Sequence, residues 1–178
     1  GVTVEKKYNT LSLPDDTTVQ VQDMPGTFSL TPESYDERIV TEQVLEWIHG
    51  INPPAAIISV VDATNLSRNL YRTSQLLDLG IPVIVAINMM DLVNKRSQKI
   101  DVTYLKEALG AAAVIPLSAL EKCGLEELKT ALVQILRSPP MKPQFFPIPL
   151  DKSVEEKVAP LVEKFQKHFS FSHRLALA

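Results

Sequence analysis

Cysteine is almost absent. Cys123 stands alone among 178 residues, which excludes an intrachain disulfide and fits a reduced compartment. No His or second Cys lies near it in sequence, so no chemical role is expected for it. Long apolar runs are missing too. The longest, residues 55–61 and 81–87, have strand length, well short of the roughly 20 residues that cross a bilayer. The opening stretch Gly1-Val2-Thr3-Val4-Glu5-Lys6-Lys7 has no apolar core region and does not read as a signal peptide. A soluble segment is therefore expected. An excess of positive charge is also lacking: 18 Lys and Arg face 21 Asp and Glu, a net charge of -3, which argues against a nucleic-acid-binding face. No internal repeat or low-complexity tract occurs.

What is present is ordinary globular material, 45% hydrophobic and 22% charged, enough for one α/β domain with a short appended element. Residues 2–13 alternate weakly up to Pro14-Asp15-Asp16, a turn signal, and Thr17–Gln22 alternates again, so a β-hairpin is predicted. From Tyr35, Ile39, Val40, Val44, Leu45 and Ile48 recur at helical spacing, with Pro53-Pro54 as the expected stop. Residues 55–61, 81–87 and 113–117 read as buried parallel strands, being continuously apolar. Helices are predicted through Leu70, Leu76, Leu77 and Leu79, over 102–109, and over 125–136 with Leu125, Leu128, Leu132, Ile135 and Leu136 inward. Alternating strands and helices imply a mostly parallel sheet with helices on both faces, and ligands of such sheets bind beyond the strands' carboxyl ends. The tail differs. Residues 138–150 form a Pro-rich linker, and residues 151–169 read as an amphipathic helix with Ser153 and Glu156 at capping-box spacing. Its lysines and phenylalanines suit packing better than a membrane surface, because Glu155, Glu156 and Glu163 offset the charge. His168 and His173 lack a carboxylate or Cys to complete an Fe²⁺ ligand set.

Three polar loops follow strands. Asn88-Met89-Met90-Asp91 comes first: an Asp can accept two hydrogen bonds from the ring N–H and exocyclic amine of guanine, and an Asn three residues earlier can meet the other edge and tie the loop. Adenine offers that carboxylate no donors. Such a site can reject an analogue lacking its donors by about 10⁴-fold, although Asn and Asp also suit a plain turn. Ser118-Ala119, about 30 residues on, is small enough to let backbone N–H groups approach a guanine carbonyl. Asp23-Met24-Pro25-Gly26 could hold Mg²⁺ through water with Asp23 and admit a phosphate at Gly26, where a side chain would block approach. Thr3 is a fourth element, a hydroxyl that could complete a Mg²⁺ shell.

In this order and spacing the four elements resemble the motifs of the translation-factor-type GTPases. Longer stretches are more specific. Residues 1–7, Asp23-Met24-Pro25-Gly26-Thr27-Phe28-Ser29-Leu30, residues 61–71 with Asn65-Leu66-Ser67-Arg68-Asn69-Leu70, and residues 80–91 are similar to the FeoB-type ferrous iron transport proteins. The likeness covers residues 1 to about 137 and extends weakly to Ser172-His173-Arg174-Leu175-Ala176-Leu177. It implies a P-loop GTPase-like α/β fold over residues 1–137, a linker over 138–150 and the start of a helical regulatory domain over 151–178. It implies GTP or GDP with Mg²⁺ as ligands, Thr3 and Asp23 at the metal, Gly26 at the γ-phosphate, and Asn88, Met89, Asp91, Ser118 and Ala119 at the base. It further implies a membrane transport domain in the same parent protein, at the cytoplasmic face of a bacterial inner membrane. Self-association is left open. Thr27 stands where many small GTPases carry a water-orienting Gln, so no catalytic side chain is assigned.

One expected part is missing. The phosphate loop Gly-x-x-x-x-Gly-Lys-Ser/Thr occurs nowhere in the 178 residues, nor do the strand before it and the helix after it. That strand belongs between the hairpin and residues 55–61, so its lack should leave two edges unpaired. The expectation is a fragment of low stability, itself not competent in hydrolysis. The competing reading is a nucleotide-free pseudo-GTPase that binds a partner. A ribosome-assembly or tRNA-modifying GTPase would want a basic appendage, which this acidic chain lacks.

Overall fold

The computed structural model describes residues 7–26 and 35–138, together with Glu156. Thr3, the expected linker from residue 139 on and, apart from Glu156, the expected tail helix lie outside the described residues.

The described residues open with a hairpin of β1 (Lys7–Ser12) and β2 (Thr18–Asp23), antiparallel with Leu11 opposite Val19 and Lys7 opposite Asp23. Its turn is fixed locally. Leu13 N–H donates to the Thr17 carbonyl at 2.8 Å, Asp15 Oδ1 accepts from Thr17 N–H at 3.2 Å, and Asp16 takes φ +63°, a region that Asp tolerates better than most residues.

After α1 (Tyr35–Ile48) comes a three-stranded parallel sheet in the order β3 (Ile57–Asp62), β4 (Val83–Asn88), β5 (Ala113–Pro116). The connections are α2 (Leu66–Leu77), entered through a short 3-10 turn at Ala63–Asn65, then α3 (Met90–Lys95) and α4 (Val102–Leu109); α5 (Leu125–Arg137) follows β5. β4 is the axis of the core: Val83 to Ile87 are sealed from solvent, as its uninterrupted apolar run requires. Val83, Val85 and Ile87 pack with Val61, Leu76, Val93 and Val114 on the side of α2, α3 and α4. Ile84 packs the other way, with Leu132, Ala131 and Leu13, so α5 and the hairpin cover that face. Each buried Val or Ile contributes about 1.5–3 kcal/mol, which makes β4 the costliest element to disturb.

The structure revises three expectations from the sequence. Pro53-Pro54 do not stop α1. The helix ends at Ile48 because Gly50, at φ +74°, closes it with Gly50 N–H to Trp47 O (3.0 Å) and Ile51 N–H to Glu46 O (2.8 Å), the paired bonds of a glycine-terminated helix. The inward stripe of α1 is also rotated: Val40, Gln43 and Val44 are buried while Leu45 is exposed. Leu125 is likewise exposed, and Ala131 takes a buried place on α5.

The hairpin forms no ladder with the parallel sheet. Among the described residues no strand pairs with the outer edge of β3, and Val60 on β3 is 53% exposed. Its carbonyl accepts a hydrogen bond from Arg72 Nη2 of α2 at 3.0 Å. Partial burial pulls the Arg72 guanidinium below its usual value, though such a group stays charged.

Candidate functional site

β4 and β5 end side by side, and the two loops beyond them are bound to each other. Leu117 N–H donates to Ile87 O at 2.8 Å and Met90 N–H to Leu117 O at 3.2 Å. The Asn88 side chain completes the tie. Its Oδ1 accepts from Met89 N–H at 2.8 Å and from Ala119 N–H at 3.0 Å, 31 residues away. Met89 is thereby held at φ +66°, an uncommon conformation for a non-glycine residue, and it stays 41% exposed beside the loop.

The bend at Met89 starts α3, which the sequence pattern did not reveal, and α3 carries Asp91 in its first turn. Asp91 is only 6% exposed. Its Oδ1 accepts a hydrogen bond from Ser118 Oγ at 2.9 Å, and its Oδ2 lies 4.0 Å from Lys95 Nζ one turn along the helix. Ser118 is fixed in turn: its backbone exchanges two 3.1 Å bonds with Cys123, and its Oγ accepts from Glu121 N–H at 3.2 Å. This closes the loop that presents Ala119. Gly124 then starts α5 at φ +83°, where an added Cβ would lie 2.4 Å from Pro116 O.

So Asn88, Met89, Asp91, Ser118 and Ala119 come together at the carboxyl ends of β4 and β5. Ser118, read with Ala119 as a small pair that lets backbone N–H groups approach a guanine carbonyl, also holds the Asp91 carboxylate with its hydroxyl. In this structure the Ala119 N–H donates to Asn88 Oδ1. Asp23 stands exposed at the end of β2, three residues before Gly26. Nothing described lies within 4 Å of a Cβ built on Gly26, so chain packing gives no reason for glycine there. Thr3 lies outside the described residues. Among those residues no cluster of three or more His, Cys, Asp or Glu could hold a metal, and no helix is long and apolar enough to cross a membrane.

The family model of ferrous iron transport protein B matches residues 1–132. The chain belongs to that family. Among curated FeoB relatives, the Fe(2+) transporter FeoB of Salmonella typhimurium is 44% identical over 136 residues, 74% of this chain. The chain spans only 17% of that relative's length. The G-domain of FeoB from Methanococcus jannaschii superposes with a TM-score of 0.67 at 38% identity, covering 76% of this chain and 82% of that one. The cytosolic domain of the T. maritima FeoB iron transporter in its GMPPNP form superposes with a TM-score of 0.82 at 29% identity, covering 98% of this chain and 66% of that one. The chain is thus an FeoB G-domain in fold and family.

Proposed function

We propose that residues 1–137 read guanine nucleotides through Asp91 and that they regulate Fe²⁺ passage through a membrane domain of the same parent protein. The observation that carries the first part is a buried carboxylate, held by Ser118 Oγ at one oxygen and within reach of a loop pinned by Asn88. An ionised carboxylate offers about four acceptor sites, and Ser118 uses one. The remaining sites suit the ring N–H and exocyclic amine of guanine. The Asn88 amide nitrogen is then turned to the base's other edge, since its oxygen is already committed to the backbone. Met89 contributes an apolar face. The relative crystallised in a GMPPNP form supports the same ligand class. Mg²⁺ would be held by Asp23 through water and by Thr3, and would neutralise phosphate charge; Gly26 leaves a phosphate room. The transport role rests on relatives named as Fe(2+) transporters. Residues 138–150 would then link this domain to a helical one beginning at 151.

The test is a titration of the natural full-length protein with fluorescent GDP and ADP analogues. GDP should bind far more tightly than ADP. Asp91→Ala should lose about 10²–10⁴-fold in GDP affinity, the value of two hydrogen bonds to a charged acceptor, and leave ADP unchanged. Weak, equal binding of both nucleotides would remove the reading and favour a nucleotide-free interaction module. Hydrolysis is a separate matter. No Gly-x-x-x-x-Gly-Lys-Ser/Thr sequence is present among the 178 residues to cradle the β- and γ-phosphates, and residue 27 is Thr. Residues 1–178 alone are therefore expected to show no GTP turnover above background in a phosphate-release assay; turnover at the rate of the full-length protein would refute this.

A further inference from the structure

We infer that Lys95 is a positioning residue for the base-reading carboxylate, steadying Asp91 by charge while leaving its lone pairs to the ligand. The inference rests on the guanine reading above and adds a residue to it. Lys95 lies one turn after Asp91 on α3, with Nζ 4.0 Å from Oδ2. That separation is within ion-pair range but too long for a hydrogen bond, whose N···O distance is about 2.7–3.2 Å. Lys95 thus supplies a positive charge and consumes no acceptor site. Ser118 Oγ takes one site on Oδ1, and a guanine needs two, so about one of four remains. A lysine bonded directly to Oδ2 would compete with the base; one held back at this distance does not.

The need for such a charge follows from burial. The Asp91 side chain is 5% exposed, and a buried carboxylate without a compensating charge is costly. Among the described residues Lys95 makes an ion pair with Asp91. The Lys95 side chain is 68% exposed, so its effect is screened and modest, about two- to five-fold in affinity, and it should fade at high salt. Acid before base at i, i+4 is also a common helix-surface pair, and nucleotide binding separates that purely structural role from a positioning one.

The experiment uses the natural full-length protein and GDP, at low and high salt. Lys95→Met should weaken GDP binding about two- to five-fold at low salt, the gap should close at high salt, and Lys95→Arg should restore binding. Asp91→Asn supplies the control. Its amide can donate to the C2 carbonyl of xanthine, so this variant is titrated with xanthosine diphosphate. With no charge at position 91, adding Lys95→Met should leave that affinity unchanged. No loss for GDP, a loss that persists at high salt, or an equal loss in the Asp91→Asn background would each overturn the role of Lys95. A wild type that fails to distinguish GDP from ADP would instead overturn the base reading itself.

Discussion

Asn88 is the residue on which the two loops depend. A single side-chain oxygen accepts from Met89 N–H and Ala119 N–H, and no other residue of similar size offers that acceptor with the same reach except Asp. Asn88→Ala leaves both donors without their partner and releases Met89 from its positive φ. The expected cost is about 1–3 kcal/mol, or roughly 2–10 °C in melting temperature for a chain of this size, measurable by thermal circular dichroism. An unchanged melting temperature would show that the loops are held elsewhere. Asn88, Asp91 and Ser118 were legible in the sequence because each stands at or just past the end of a buried strand, where polar residues at fixed spacing are conspicuous. The bond from Ser118 Oγ to Asp91 Oδ1 was not legible. It depends on the left-handed bend at Met89 that sets the first turn of α3 beside Ser118, and no local pattern encodes a contact 27 residues apart.

At the scale of elements, the strands β3, β4 and β5 were readable because full burial on both faces demands unbroken apolar runs. The face of α1 was not, since Gln43 lies inward with its amide nitrogen donating to Glu46 Oε2 at 2.7 Å, and a hydrophobic count cannot foresee a buried polar residue. α3 escaped because six residues are too few to show a period. The seat of the hairpin was equally hidden. Its turn is held to the far end of α5 by Arg137 Nη2 to Asp15 Oδ2 at 2.7 Å. Burial alone would push the Asp15 carboxyl up, but the hydrogen bonds from Thr17 and the Arg137 charge outweigh it and hold the group below its usual 3.8. A depressed folded value means that this contact adds stability above the unfolded carboxyl's pKa, about 3.9, and loses it as pH falls through the folded value. Asp15→Asn should therefore be less stable than wild type at neutral pH, and the difference should shrink below about pH 4 in denaturant unfolding. A difference that stays constant down to pH 2 would deny the pair this role.

For the molecule as a whole, the described structure has two sheets joined by side chains and not by a ladder. β4 is hydrogen-bonded on both edges and buried on both faces, whereas β1 and β2 bond only to each other and lean on α5 and Ile84 through Leu11, Leu13 and Val19. The free energy of opening is set by what an element must give up. Opening β4 breaks two ladders and exposes five sealed residues, which amounts to global unfolding. Lifting the hairpin away breaks one apolar contact surface and the Asp15–Arg137 pair, and leaves the parallel sheet whole. Native-state hydrogen exchange should resolve this order. Amides of β4 are expected to exchange only at the global unfolding free energy and to share its denaturant dependence. Amides of β1 and β2 should exchange at a lower free energy with a smaller denaturant slope, and Arg137→Met should lower the hairpin's value and leave that of β4 less affected. Merging of the two isotherms in wild type would mean that the hairpin and the parallel sheet fold as one unit, and that side-chain packing alone couples them as tightly as a shared ladder.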